Sequence, residues 1–417
     1  MDGSLTSSLS LLGLLMAAIA IGFFLGRRDR GARRARQGGG SYMRGLNYLL
    51  SEKADSAIDA FVGTLDVNDD TVDTHLALGA LVRRRGEVDK AIRVHQNLLA
   101  RPRLSPRFRA QAELELARDY LAAGLLGRAE SLLKELASRG GELRESALEF
   151  LLEIYQRERD WEEAIAIARE MANRGERDIR RTLAHYLCEL ADRAWESGEV
   201  RDARAHLEQA LEWDARCVRA SLMLGRLESE QGRWKDAIRA LRRVQEQDPR
   251  FLAEALPVLT EAHAQLGTER DLVRFLERCV ELTPSATVAA HLADRIATRS
   301  GESAARDFLA GALAERPNVR GLGLLLGRHL HALNAPLESA ARGEGGAAAE
   351  SEASGDVPVA KLADALGQLK EFVDALVAES PSYECEGCGF SGRVLHWQCP
   401  SCKSWGTMAP VRGLVGE

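Results

Sequence analysis

SLMLGRLESEQGRWKDAIRALRRVQEQDP, residues 221–249, is the stretch that decides the fold. Gly225, lacking a Cβ, lets two helices approach closely at that point. Gly232 supplies the turn between them. Ala237 is the small residue placed where the helices cross, and Pro249, which cannot continue a helix, ends the second one. The segment reads as one helix-turn-helix unit.

Working outward, the small residue of the second helix recurs at Ala57, Ala91, Ala129, Ala164, Ala203, Ala237, Leu272 and Ala305, in steps of 34, 38, 35, 39, 34, 35 and 33 residues. Leu78-Gly79, Gly86 and Ala91 repeat the arrangement, and Tyr48, Ala57 and Phe61 begin it. The copies at Ala129 and Ala203 keep the turn glycine, as Gly124 and Gly198. The copy at Ala164 has Arg159 there, and those at Leu272 and Ala305 are weaker. A period near 34 residues with this pattern resembles the tetratricopeptide repeat. Such arrays bury a continuous core between neighbours and expose a concave surface that binds peptides or proteins. The expectation is an all-α fold, a tetratricopeptide-repeat superhelix over residues 42–340.

The 417 residues suffice for two or three domains, and aromatic residues make up only 5%, a bias toward helix over sheet. No nucleophile-base set, glycine-rich phosphate loop or paired catalytic carboxylates stand out, so the chain reads as a binding protein and not an enzyme. His75, His95, His185, His206 and His263 lie singly on helices and read as satisfied or solvent-facing. Trp161, Trp195, Trp213 and Trp234 read as repeat-packing residues. Cys188, Cys217 and Cys279 read as small buried hydrophobes.

Residues 1–26 read as a membrane anchor: Gly3 to Gly26 carries no charge, and about 20 apolar residues cross a bilayer. Asp2 precedes the run, and Arg27, Arg28, Arg30, Arg33, Arg34 and Arg36 follow it. A signal peptide has the reverse order. The positive-inside rule then places the body in the cytoplasm, a single-pass arrangement. Residues 27–41 form a basic juxtamembrane tether. Residues 27–36 carry +5, so the rest sums to −11 of the net −6. A body that acidic argues against nucleic acid as a partner. Residues 341–358, rich in Gly, Ala, Ser and Glu, read as a flexible linker. Residues 359–379 show a helical period at Leu362, Leu366, Leu369, Phe372, Val373 and Leu376.

The last segment, residues 380–417, holds Cys385-x-x-Cys388 and Cys399-x-x-Cys402 with ten residues between the pairs. Two such knuckles can close four thiolates around one tetrahedral ion, and a site with four protein ligands has no open position for substrate. The four cysteines are the candidate ligands, and the ion is zinc or iron. The knuckle residues look like rubredoxin, although rubredoxins have a far longer interval. The expectation is therefore a small rubredoxin-like metal ribbon with four cysteine ligands. Phe390, Trp397 and Trp405 read as shields for the metal, with docking as the alternative. His396 is off the ligand pattern.

The combination of one N-terminal span, an Arg-rich exit, tetratricopeptide repeats and a C-terminal knuckle pair resembles the lipopolysaccharide assembly protein B family. The stretches that carry the likeness are GLNYLL (45–50), LVRRRGEVDKAIRVHQNLL (81–99), RDYLAAGLLGRAE (118–130), ALEFLLEIYQ (147–156) and CGFSGRVLHWQCPSCKSWGTMAPVRGL (388–414). The resemblance implies an inner-membrane adaptor that promotes degradation of the lipid A-committing deacetylase by a membrane-anchored AAA+ protease. Other lipopolysaccharide synthesis or transport proteins are implied partners. It also implies that Cys385, Cys388, Cys399 and Cys402 are the metal ligands. A scaffold that gathers synthesis proteins without directing proteolysis is the alternative. The oligomeric state is left open, with a homodimer as one reading.

Overall fold

The computed structural model of the chain describes residues 71–341 and 356–416, apart from 103, 176, 177, 284, 316 and 415. The anchor of residues 1–26, the tether, the first repeat copy with Tyr48, Ala57 and Phe61, and linker residues 342–355 lie outside the described residues. Among those described, no helix is long and apolar enough to cross a membrane.

The repeat phasing is realised residue by residue. Ala91, Ala129, Ala164, Ala203, Ala237, Leu272 and Ala305 are all 0% exposed. Six of the seven are alanines, whose full burial leaves room for little beyond a methyl group, and the seventh, Leu272, carries a larger side chain into the core. The chain divides into two compact units, residues up to 158 and from 159 onward.

The described part of the first unit is five helices: α1 (Val72–Arg84), α2 (Val88–Leu99), α3 (Pro106–Ala122), α4 (Leu126–Arg139) and α5 (Arg144–Glu158). Ser105 caps α3, its hydroxyl accepting from the Phe108 N–H, and Pro106 follows at the first helical position. A Cβ on Gly79 would lie 2.4 Å from the His95 ring, so glycine here makes the space that the imidazole fills. The fully buried Asp119 accepts from His95 Nδ1 at 2.5 Å and from the Arg83 guanidinium at 2.7 Å. Arg83 also reaches Glu115, whose carboxyl is held below the usual range because the Arg83 and Arg118 bonds outweigh the effect of burial. A buried carboxylate is tolerable only with such partners.

The second unit runs through α6 (Trp161–Asn173), α7 (Asp178–Glu196), α8 (Val200–Trp213), α9 (Val218–Glu230), α10 (Trp234–Arg242) and α11 (Val244–Gln247). A 3-10 turn at Pro249–Phe251 leads into α12 (Leu252–Leu266), α13 (Glu269–Leu282), α14 (Ala286–Ser300), α15 (Glu302–Glu315) and α16 (Val319–Ala341). The 221–249 unit behaves as its sequence predicts. A Cβ on Gly225 would lie 2.3 Å from Leu241 Cγ, and Gly232 turns with φ of 69°. Where the Ala164 copy lacks the turn glycine, Arg159 itself takes the left-handed conformation, with φ of 56°.

Helix α17 (Asp356–Glu379) packs on α16. It starts three residues before the expected position, because Pro358 falls in its first turn, where proline removes no helical hydrogen bond. Glycines at 323 and 327 open α16 to it: a Cβ there would lie 3.1 Å from Val373 Cγ1 and 3.3 Å from Lys370 Cε. The chain ends in a three-stranded antiparallel sheet of order β2-β1-β3, with β1 (Tyr383–Cys385), β2 (Ser391–Gly392) and β3 (Met408–Pro410). Tyr383 opposes Gly392 on one side, and Cys385 opposes Met408 on the other.

Candidate metal centre

The four ribbon cysteines converge, with their Sγ atoms all within 4.8 Å of one another. Cys385 and Cys402 are 3.7 Å apart, as are Cys388 and Cys399. Four sulfurs held about 2.3 Å from one tetrahedral ion stand roughly 3.8 Å apart. The spacing therefore fits an ion held by four sulfurs, and Cys385 and Cys399 are buried with Met408 in the ribbon's small core.

Each knuckle is closed in the same way. Gly389 N–H bonds the Cys385 carbonyl and Lys403 N–H bonds the Cys399 carbonyl, and both residues are left-handed, with φ of 74° and 62°. The tight turns aim N–H groups at sulfur. The Cys385 thiol is pulled down to about 6, first by the Thr407 hydroxyl and then, against burial, by the N–H groups of Gly387 and Cys388. Cys402 is lowered by the Ser404 side chain and its N–H. Burial pushes Cys399 up to about 11, against the N–H groups of Cys402 and Ser401. Donors that stabilise thiolate favour ligation over thiol. His396 is absent from the cluster.

Two of the three ribbon aromatics depart from their reading as shields. Trp397 and Trp405 face the helical array. Trp405 stacks on His185 of α7 (5.4 Å between centroids, 24° between planes) and meets Trp161 and Tyr186 edge-on at 6.1 and 5.9 Å. The Arg219 guanidinium lies 6.0 Å from its ring centre. Trp397 stacks on Phe251 at 5.6 Å, and Leu395, Trp397 and Ala409 join the hydrophobic core built by α9 to α14. Of the three, only Phe390 packs within the ribbon beside the cysteines. Polar clasps flank the dock: the Tyr383 hydroxyl donates to Glu254, and Arg250 pairs with both Asp248 and Glu386. Beyond the ribbon, Val319 N–H donates to the Leu414 carbonyl at 2.7 Å.

His185 therefore differs from its expectation as a satisfied or solvent-facing histidine. It is buried, and its Nδ1 has no hydrogen-bond partner among the described residues. Burial, then the charges of Arg219 and Arg181, hold its pKa down to about 3, so the ring is neutral. Gly406 comes so close that a Cβ there would lie 2.7 Å from His185 Nε2. Trp161 forms a wall of the dock, whereas Trp195 bonds Glu230 and Trp213 lies under Arg180. The sequence signal for the dock was the paired Trp397 and Trp405 on a ribbon too small to bury both.

Three regions match known families. Residues 74–110 and 188–250 match the tetratricopeptide repeat, and residues 383–410 match the rubredoxin metal binding domain. Over its whole length the chain is similar to lipopolysaccharide assembly protein B of Escherichia coli strain K12, at 36% identity over 416 residues, covering 98% of this chain and 100% of that protein. The chain belongs to the lipopolysaccharide assembly protein B family. A relative of the same name from Haemophilus influenzae is 30% identical, covering 95% of this chain and 97% of its own. Lipopolysaccharide assembly protein B relatives thus align with both the repeats and the ribbon that docks on them.

Proposed function

We propose that this protein is a non-catalytic inner-membrane adaptor. It regulates lipopolysaccharide synthesis by presenting the lipid A-committing deacetylase to a membrane-anchored AAA+ protease. What carries the reading is the match over nearly the full chain to relatives named for lipopolysaccharide assembly. In this reading residues 1–26 are the single-pass anchor, residues 27–41 the basic tether, and the array the surface that holds protein partners on the cytoplasmic side. Cys385, Cys388, Cys399 and Cys402 hold one zinc or iron ion, which supplies a crosslink among four thiolates and no reactive position. The ribbon's part is to brace the array.

The test is the half-life of the deacetylase after the protein is depleted in its host. A long-lived deacetylase is the expected result. An unchanged half-life overturns the proteolytic reading in favour of the scaffold that gathers synthesis proteins.

A further inference from the structure

Charge is unevenly divided between the leading helices and the rest of the chain. Residues 71–110 hold nine Arg and Lys against three Asp and Glu, a sum of +6, whereas residues 111–417 sum to −12. No acid occurs from Lys90 to Ala112. The start of the first unit is therefore basic, on a body that is otherwise acidic.

The fold brings these cations to the surface and gives them no acids. Arg84, Arg85, Arg93, Arg101 and Arg107 are exposed, and none has a side-chain partner among the described residues. Further along the same unit arginines do find acids: Arg118 pairs with Glu115, Arg139 with Glu113 and Arg157 with Glu153.

Helix α2 joins the five. Arg84 and Arg85 come just before the turn that starts it, and Arg93 lies on its exposed face with Gln96 and Asn97. Arg101 and Arg107 flank the loop that leaves its far end. Its 12 residues at about 1.5 Å each separate the two ends by about 18 Å. Cations strung over that length do not converge on a single phosphate. They match a plane that carries many negative groups, and a guanidinium binds phosphate oxygens in pairs. A nucleic acid also offers phosphates, but the −12 carried beyond residue 110 repels an extended polyanion.

We propose that the exposed face of α2, with the turns at its two ends, docks on the anionic headgroups of a lipid bilayer. The proposal rests on the reading of residues 1–26 as an anchor, which keeps these arginines within reach of the headgroups. Attachment at two places, the anchor and this face, removes the swivel that a tether alone permits and gives the first unit a fixed side toward the membrane.

The test uses the full chain, reconstituted from detergent into vesicles of phosphatidylcholine and phosphatidylglycerol. The photo-crosslinker p-benzoylphenylalanine is placed at Asn97, on the docking face, or at Ala205, an exposed position of α8. Irradiation should attach lipid at Asn97 and not at Ala205. The Asn97 adduct should fall on the order of ten-fold in vesicles of phosphatidylcholine alone, and equally when Arg85→Glu, Arg93→Glu, Arg101→Glu and Arg107→Glu are combined. The helical circular dichroism spectrum of that variant should be unchanged. Extraction of the chain by alkaline carbonate overturns the anchor reading and this proposal with it. A chain that resists extraction yet gives no lipid adduct at Asn97 overturns the docking face alone. So does an adduct equal to that at Ala205, or one indifferent to the four substitutions.

Discussion

Trp405 of the metal ribbon stacks on His185 of α7, two residues 220 positions apart in the chain, with ring centroids 5.4 Å apart. The pair joins the C-terminal ribbon to a helix in the middle of the array. Because Trp161, Tyr186 and Arg219 close around the same indole, Trp405 is the anchor of the dock and is only 8% exposed.

Trp405→Ala should therefore release the ribbon without emptying it. Removing a buried tryptophan costs about 3–5 kcal/mol. Hydrogen exchange should rise in both β3 and α7, while elemental analysis still finds about one metal ion per chain. Unchanged exchange in α7 would show that the indole does not hold the two together.

The neutral, buried His185 makes the second unit sensitive to acid. Its pKa is lowered in the fold to about 3 from an ordinary value near 6.5, so the unfolded chain takes up a proton that the folded one refuses. The associated stability is fully present above pH 6.5 and is lost as pH falls from there toward 3, at up to about 1.4 kcal/mol per pH unit. His185→Phe keeps a ring against Trp405 and should remove this component. Urea unfolding of both proteins between pH 6.5 and 5, with the ribbon kept metal-loaded, should give a shallower pH slope for the variant. Identical slopes would refute the assignment.

Cys399→Ser removes a buried ligand and should abolish metal binding. The helices should still unfold cooperatively, because the repeats carry their own core, while under the proposed adaptor role the deacetylase should become long-lived. Full regulation by a metal-free variant would mean that the ribbon's crosslink is dispensable.

Gly225→Ala should destabilise the second unit by about 1–3 kcal/mol, since the new Cβ collides with the tightly packed Leu241. Arg159→Gly should act in the opposite direction, by on the order of 1 kcal/mol, because it relieves a left-handed conformation that arginine adopts at a cost. Thermal melts of the two variants should move in opposite senses.

Local pattern carried most of the architecture. Of the eight positions that the repeat phasing named, the seven among the described residues are all fully buried, and the Cys-x-x-Cys spacing named four sulfurs that do converge. Both are short-range signals, set by helix period or by a turn of a few residues. The dock was not legible in the same way, because His185, Phe251 and Trp405 are related only through the folded chain. Periodicity equally could not divide the apolar face of α17. Val373 and Phe372 are neighbours in one hydrophobic pattern, but the glycines of α16 admit the first and leave the second outside. Arg159 shows a further limit: the loss of a turn glycine suggested a weaker copy, yet the turn is kept by a residue that sequence preference disfavours.

A repeat array flexes like a spring, because each unit touches only its neighbours and small rotations add along the stack. The ribbon grips Trp161, His185, Arg219, Phe251 and Glu254, residues contributed by successive units of one stretch. It therefore works as a splint. Bending that stretch means shearing the indole out of its slot and breaking the clasps at Arg250 and Glu254, so the stiffness of that stretch of helices is set by a knob at the far end of the sequence.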